Sequence, residues 1–541
     1  MAEKGQNGQP PTTEDEVIPQ LDNLIVPRAN LEDRWSRLWH MKQFTAWMLY
    51  VGLGLVGLGF EWAAFPQFLA FQTFSARFGE FDPTAEMYIV SSGRQAVWNA
   101  TGSATMLIGG LSAGFIMNKI GRRWWLLITN AMIAISIGLA YGSTDWKVMT
   151  GSRVILGLGN GGMGTFTPLY ISENAPPELR GFYLITFNAF MVVGQFLISL
   201  VLRACVNAPG EWQWRSAVLA MFIFPFITFV LFPFFPESPH HLLANKNDEE
   251  GARKALLRLH GASKTEFVEQ ELTRMRESIH ISKVLGKKSS FSIWDLFRGS
   301  NLRRTLVAIA VPAAQQLSGI VFVIGYIPYF LTLAGISNPF NWSMYLFTVN
   351  LVSNLASFWT VERVGRRLFV VYGLLFLGTV NIIVGAINVH PTYARYIVTI
   401  VLTYCWAAVY QLTIGALGLV VASEVATSPL RAETQSLVTA SQSLFSWVFA
   451  FSVPYMINPD AGNLGGKVGF IFGSLSFCLF VVCFFLVPET RGLTFSELDW
   501  LYAQGVKPWN FMRSIDQYRA SQEGTQSGSD VDLASKAVEN A

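Results

Sequence analysis

Charge is scarce in this sequence. Asp, Glu, Lys and Arg make up 14% of the 541 residues against 51% hydrophobic ones, a balance too apolar for an ordinary soluble protein. Net charge is missing too, since 39 basic residues face 36 acidic ones, and nothing points to nucleic acid as a partner. Cysteine is rare, and Cys205, Cys405, Cys478 and Cys483 show no metal-ligand spacing. The last three lie in apolar runs, where a thiol is usually a small buried hydrophobe. A phosphate-cradling loop is absent, because the Gly-Lys pairs continue as Val468 and Lys288, which removes an ATP-driven pump. His240 and His241 are adjacent, and neighbours on one chain seldom make a tetrahedral metal site alone, so no metal, cofactor or catalytic residue is assigned. Met1 to Asp33 is acidic, contains Pro and lacks an apolar core; no signal peptide is expected, and the amino terminus is placed in the cytoplasm.

Long apolar runs are what the sequence has instead. A hydrocarbon core of roughly 30 Å asks for about 20 apolar residues per helix. Twelve runs qualify: 46–70, 97–117, 124–142, 148–171, 182–202 and 215–235, then 305–332, 342–361, 368–388, 396–422, 435–456 and 467–487. This predicts an all-α membrane protein of twelve transmembrane helices, divided into a tail (1–45), a six-helix half (46–235), a linker (236–304), a second six-helix half (305–487) and a second tail (488–541). Lys and Arg gather in Asn118-Lys119-Ile120-Gly121-Arg122-Arg123, in Glu362-Arg363-Val364-Gly365-Arg366-Arg367 and in the linker, which places these segments and both termini on the cytoplasmic side. Asp248 to His260 and Lys264 to His280 set apolar residues among charges at helical spacing, so amphipathic linker helices are expected. Met1 to Glu16 and Gln522 to Ala541 have the composition of disordered tails.

Three motifs recur in the same order. Gly121-Arg122-Arg123 returns as Gly365-Arg366-Arg367, Glu173 to Arg180 returns with equal spacing as Glu424 to Arg431, and Pro236-Glu237-Ser238 returns as Pro488-Glu489-Thr490. A duplicated six-helix unit accounts for all three, and two such units put a solute site near the midplane and rock around it. The charged residues of this set, with Glu362, read as topology determinants or as a cytoplasmic gate. We adopt the gate reading, in which Glu173, Arg180, Glu424 and Arg431 pair across the halves when that side is shut.

Apart from helix ends and Arg203, the spans hold only two ionised side chains, Glu61 and Arg153. Charges in lipid are costly, and those present usually pair or mark an ion path. At 1.5 Å per residue, Glu61 lies roughly 22 Å above the cytoplasmic end of its span and Arg153 roughly 8 Å below the outer end of its own, about one level. The two are expected to meet, as a static pair that orders the helices or as a proton-coupling pair.

The ordered set Ser152-Arg153 with Gly157, Gly159 and Gly161, Pro168-Leu169-Tyr170-Ile171-Ser172-Glu173, Arg180-Gly181, Pro236-Glu237-Ser238-Pro239, Gln315-Gln316-Leu317-Ser318-Gly319, Glu362 to Arg367 and Pro488-Glu489-Thr490-Arg491-Gly492 resembles the sugar-porter family of the major facilitator superfamily. The resemblance runs from about Phe44 to Tyr502. Tyr326-Ile327-Pro328-Tyr329-Phe330 and Pro454-Tyr455-Met456-Ile457-Asn458-Pro459 are similar to its fungal maltose and α-glucoside permease branch. That resemblance implies a proton-linked porter in the plasma membrane, carrying a small polar solute by alternating access. It assigns solute contact to Gln315, Gln316, Asn350, Tyr326 and Asn188, with Gln195 a further polar candidate and Gln442 in the place of a helix-eleven asparagine. It also sets Glu61 where such porters carry a helix-one aspartate and matches Arg153 to that aspartate's partner.

Carboxamides suit hydroxyls, since each offers an acceptor and two donors; they also serve helix-to-helix hydrogen bonds. The family pattern is altered at Val321, at Gly325 and through Gly415-Ala416-Leu417-Gly418-Leu419. A buried polar group left without a partner there costs about 1–3 kcal/mol. Three readings follow: uptake of a sugar or glycoside, transport of a polar non-sugar metabolite, and a nutrient sensor that does not transport.

Overall fold

The structure, a computed structural model, describes residues 41–516 apart from 84–85, 176, 262–263, 289–292, 337, 391, 428–429 and 494. The side chains of some helical residues, Arg180, Glu362, Leu419 and Arg431 among them, also lie outside the description, as do Met1 to Glu16 and Gln522 to Ala541.

Twelve helical spans form two six-helix halves. The first half holds α1 (Lys42–Phe68), α3 (Ser92–Ile120), α4 (Arg122–Tyr141), α5 (Trp146–Asn174), α6 (Pro177–Cys205) and a broken sixth span, α7 (Trp212–Ala220) with α8 (Ile223–Leu231). A short helix α2 (Gln72–Phe78) and a hairpin of β1 (Glu80–Asp82) and β2 (Met87–Ile89) follow α1, so the chain is not wholly helical. The linker carries α9 (Glu249–His260) and α10 (Thr265–Lys288). The second half holds α11 (Gly299–Leu317) with α12 (Ile327–Leu333), α13 (Pro339–Val364), α14 (Arg366–Ile387), α15 (Tyr393–Leu412) with α16 (Ile414–Val425), α17 (Arg431–Ile457) and α18 (Val468–Leu486); α19 (Phe495–Ala503) follows. The halves meet along α3 against α17 and α6 against α13.

Among the described residues, ten spans are long and apolar enough by themselves to cross a bilayer. The other two, α5 and α13, turn polar faces inward: Ser152 and Thr167 on one, Ser343, Asn350, Ser353, Asn354 and Ser357 on the other, are buried. Helices one and seven are the most enclosed, with 83% and 78% of their apolar windows buried against 22% for α3.

The α3–α5 seam explains part of the glycine pattern. A Cβ at Gly161 would sit 1.9 Å from the Met106 carbonyl oxygen, and one at Gly157 2.3 Å from that of Gly102, so the backbones approach as only small residues permit.

Spans six, seven and ten, read from the sequence as continuous, are interrupted. Pro225 has no N–H for the Met221 carbonyl, and α7 stops just before it. Span seven breaks at Gly319, where φ is +102°, then continues through a π-helical turn at Val321–Tyr326. Asn381 Nδ2 donates to the freed Ser318 carbonyl at 2.9 Å, the internal satisfaction that hydrocarbon demands. Span ten breaks at Thr413, whose hydroxyl bonds back to Val409 O at 2.6 Å, a local competitor of the helix ladder.

The linker helices pack through Ala252, Ala255 and Leu256 against Val268, Leu272 and Met275. Asp248 caps α9 by accepting from Gly251 N at 2.8 Å. At its other end Gln43 and Trp47 donate to Arg258 O at 3.1 and 3.2 Å, and His260 stacks on Phe44 at 4.9 Å. The linker is thereby tied to the start of α1.

The glycine seam yields a paired test. Gly161→Leu is expected to destabilise the protein by about 1–3 kcal/mol through overpacking, whereas Gly138→Ala, with nothing within 4 Å of its added Cβ, is expected to be near neutral. Thermal unfolding of the detergent-purified protein reads both, and equal midpoints would contradict the close backbone approach.

Candidate functional site

At the linker end, both copies of the repeated motif build one arrangement. Gly121 and Gly365 have φ of +100° and +107°, and an added Cβ would come within 2.4 and 2.6 Å of the Glu237 and Glu489 carboxylates. Glu237 accepts from Arg122 N at 2.7 Å and Glu489 from Arg366 N at 2.9 Å, so each acid satisfies first-turn amides at the positive end of α4 or α14. Arg122 pairs with Glu173 at 2.6 Å and Arg366 with Glu424 at 3.3 Å. The Ser238 and Thr490 hydroxyls donate to those same acids at 2.6 and 2.7 Å. Arg123 and Arg367 donate to the Pro233 and Val487 carbonyls at 3.0 and 2.7 Å.

All of these bonds stay inside one half. The cross-half pairing of Glu173, Arg180, Glu424 and Arg431 is expected when the cytoplasmic side is shut; in this structure Glu173 and Glu424 each meet the arginine that starts the neighbouring helix of their own half. Arg180, Glu362 and Arg431 are outside the described side chains. His241, given no role by the sequence, holds its Nδ1 2.5 Å from Arg122 Nη1. Burial and then the guanidinium push its imidazole down to about 4, keeping it a neutral acceptor.

Near the midplane the carboxamides divide into two groups. Gln315 Nε2 donates to the Ile414 and Gly415 carbonyls at 3.0 and 3.1 Å and its oxygen accepts from Gln442 Nε2 at 2.9 Å. Gly418 permits this, since a Cβ there would lie 2.4 Å from Gln315 Nε2. Asn188 reaches across from the first half to Gln411 Oε1 at 3.5 Å and Gly415 O at 3.4 Å. Gln411 was missed by sequence reasoning; a carboxamide inside the apolar run of span ten was its available signal. The second group is Gln195, Gln316, Asn350 and Asn354, all buried, each with an amide atom that has no hydrogen-bond partner. Gln195 and Asn350 both lie about 15 Å from the far ends of adjoining helices at 1.5 Å per residue.

At the far end the halves are joined. Ser92 donates from N and Oγ to Asp460 at 2.8 and 2.5 Å, so the start of α3 is capped by the other half. Asn458 accepts from Gln95 at 3.1 Å and from Tyr329 at 2.7 Å and donates to Val90 O at 2.8 Å. Ser343 donates to Gln67 at 2.7 Å, and Phe71 stacks on Phe340 at 4.3 Å. No periodicity in the sequence marks Ser92, Gln95 or Asp460.

Glu61 and Arg153 are not brought into ion-pair contact. The Glu61 carboxylate accepts from Asn160 at 2.9 Å, while the Arg153 guanidinium lies over the Phe65 ring at 4.2 Å. The height estimate counted from span ends that α1 and α5 overrun, and Asn160, two turns along α5 from Arg153, supplies the nearer donor. Tyr326 accepts from Asn99 at 2.7 Å and borders a cavity with Arg153.

Two six-helix halves, joined at one end and enclosing unpaired amides at mid-depth, define a membrane carrier of the alternating-access type. The chain belongs to the sugar (and other) transporter family, whose model matches residues 45–502. It is 27% identical over 478 residues to the major facilitator-type transporter ecdD of Aspergillus rugulosus, covering 84% of this chain and 86% of that one. It is likewise 27% identical over 502 residues to the low-affinity glucose transporter HXT3 of Saccharomyces cerevisiae, with coverage of 89% and 85%. The inward-open xylose transporter XylE of E. coli shares the fold at a TM-score of 0.69 and 21% identity, over 85% of this chain and 99% of that one.

The two glutamines are expected to respond differently. Gln315→Ala strips partners from Gln442 and α16 and should lower the unfolding midpoint, by about 1–3 kcal/mol of stability. Gln316→Ala should leave the midpoint nearly unchanged and weaken solute binding; equal behaviour of the two variants would contradict the division.

A pH dependence follows from His241. Its folded value of about 4 lies below the ordinary 6.5, so the unfolded chain takes up a proton first as pH falls. Stability from the neutral ring is complete above about pH 6.5 and is lost toward pH 4. His241→Gln should therefore lose less stability than the parent between pH 7 and pH 5, read as unfolding midpoints.

Proposed function

We propose that this chain takes up a sugar or glycoside together with protons across the plasma membrane, with the linker end and both termini in the cytoplasm. Residues 46–235 and 305–487 are the two bodies that rock. The observation that carries the solute class is the group of buried amides with unpartnered atoms, Gln195, Gln316, Asn350 and Asn354. Each unpaired atom is costly in a dry interior, and a polyhydroxylated solute restores the missing bonds. Relatives named as glucose and xylose carriers support the same class. The arginines at the linker ends of α4 and α14 support the orientation.

Glu61 is the proton site in this reading. A carboxylate inside the bilayer, held by one amide from Asn160 rather than by an ion pair, changes its surroundings when α1 and α5 shift, and its protonation becomes linked to which side is open. Transport of a polar non-sugar metabolite is the second reading, favoured by Val321 and Gly325, which line the cavity beside Arg153 and offer a hydroxyl no side-chain partner.

Expression in a host stripped of sugar carriers, followed by labelled glucose and maltose uptake, tests the solute class. Accumulation of either is expected; surface-delivered protein that moves neither contradicts the sugar reading. Glu61→Gln, which mimics the protonated acid, is expected to abolish accumulation against a gradient while counterflow exchange persists. Undiminished pH-dependent accumulation in that variant would rule out Glu61 as the coupling group.

A further inference from the structure

Helix α3 starts without a cap of its own. Its N-cap residue, Ser91, makes no side-chain bond to the first turn, and that turn holds no acid, although the leading amides of a helix need acceptors and present positive charge. The acceptor comes from the other half. Asp460 takes Ser92 N at 2.8 Å on one carboxylate oxygen and Ser92 Oγ at 2.5 Å on the other. Asp460 is exposed at the rim, while Ser92 and Gln95 lie buried beneath it. It belongs to the turn after α17, which folds back on its own helix through Gly462 N to Tyr455 O and Leu464 N to Met456 O, both at 2.8 Å. Asn458, two residues earlier and fully buried, fixes the same turn through Gln95, Tyr329 and the Val90 carbonyl.

The α3 residues that make these contacts share one face. Ser92, Gln95 and Asn99 are spaced three and four apart, so they line up along the helix. Each meets the second half, at Asp460, Asn458 and Tyr326 in turn. The stripe therefore runs from the far end about 10 Å toward the midplane, at 1.5 Å per residue. The other seam uses a neutral amide and rings, Gln67 with Ser343 and Phe71 on Phe340. A charge-assisted hydrogen bond is about twice as strong as a neutral one, so the carboxylate gives the α3 seam the firmer hold.

We infer that Asp460 is the latch of the far-end gate: it caps α3 from the opposite half, so the cap exists only while the halves are closed there and is given up when they part. Opening returns the Ser92 amide and the carboxylate to water, so the latch biases the equilibrium and does not block it. A carrier whose far side is open for a fraction of the time binds far-side solute more weakly by that fraction. Asp460 thus sets far-side apparent affinity without touching the solute. This goes beyond the sugar reading and rests on alternating access between the halves, whatever the cargo.

The test uses the full-length protein in lipid nanodiscs, without solute, with its four native cysteines replaced. Spin labels at Lys147 and Tyr393, exposed positions at the far ends of α5 and α15, report the gate from places away from the latch. Asp460→Asn keeps the shape of the side chain and removes its charge; the ratio of long to short far-end distances is expected to rise about fivefold, the size of a lost helix cap. Ser91→Asp gives α3 a cap in its own half and is expected to raise the same ratio with the unfolding midpoint level or higher, so it cannot be dismissed as misfolded. A lowered midpoint with an unchanged distance distribution in Asp460→Asn would make the contact a static brace and overturn the latch. An unchanged ratio in Ser91→Asp would overturn it too, because a cap supplied within α3 would then not compete with closure. Since no solute is present, failure of the sugar reading leaves both outcomes intact.

Discussion

Hydrocarbon offers no water to a polar atom, and that constraint orders this structure from its helix breaks to its centre. Where span seven opens at Gly319, Asn381 reaches in to hold the Ser318 carbonyl. Where span ten breaks at Thr413, the threonine hydroxyl folds back on its own helix. The least apolar spans, α5 and α13, turn their serines and asparagines away from lipid. Other buried polar atoms lack a protein partner, and among them Gln195, Gln316, Asn350 and Asn354 are the buried carboxamides assigned here to solute.

The two ends of the molecule use their polar groups differently. At the linker end Glu237 and Glu489 cap α4 and α14, and Glu173 and Glu424 hold the adjoining arginines. Those clusters tie neighbouring helices of one half together. At the far end the partners belong to opposite halves: Ser92 with Asp460, Gln95 with Asn458, Gln67 with Ser343. Each far-end contact is a hydrogen bond or ring stack worth little alone, so the set can part as a unit when solute binding shifts the balance. Between the two ends, Asn188 of α6 reaches the Gly415 carbonyl of α16 and Asn99 of α3 donates to the Tyr326 hydroxyl.

The spans were legible because a run of about 20 apolar residues matches the thickness of a bilayer core and is rarely used in a soluble fold, and the duplicated halves because three motifs repeat in order. The breaks were less so. Span ten contains neither proline nor a positive-φ glycine at Thr413, and hydropathy continues unbroken across it. Of the site, the residue types were readable and their partners were not. Gln315 and Gln316 are neighbours in sequence, yet one is committed to α16 and α17 and the other is unpaired. Glu61 is buried and Arg153 half-buried, but Asn160, an uncharged residue among glycines, carried no signal that it would take the Glu61 carboxylate. The charge repeat showed which residues cluster, and only the packing of the helices shows that they do so within a half.

The central claim is that two rigid halves rock, parting at one end as they close at the other. Spin labels at Tyr88 and Asn463 report the far end, and labels at Lys119 and Arg363 the linker end; all four positions are exposed. Distances measured by pulsed electron resonance in a cysteine-substituted background, across pH and with and without solute, test the claim directly. The far-end distance should lengthen whenever the linker-end distance shortens. A far-end distance that never changes, or two distances that rise and fall together, would contradict it.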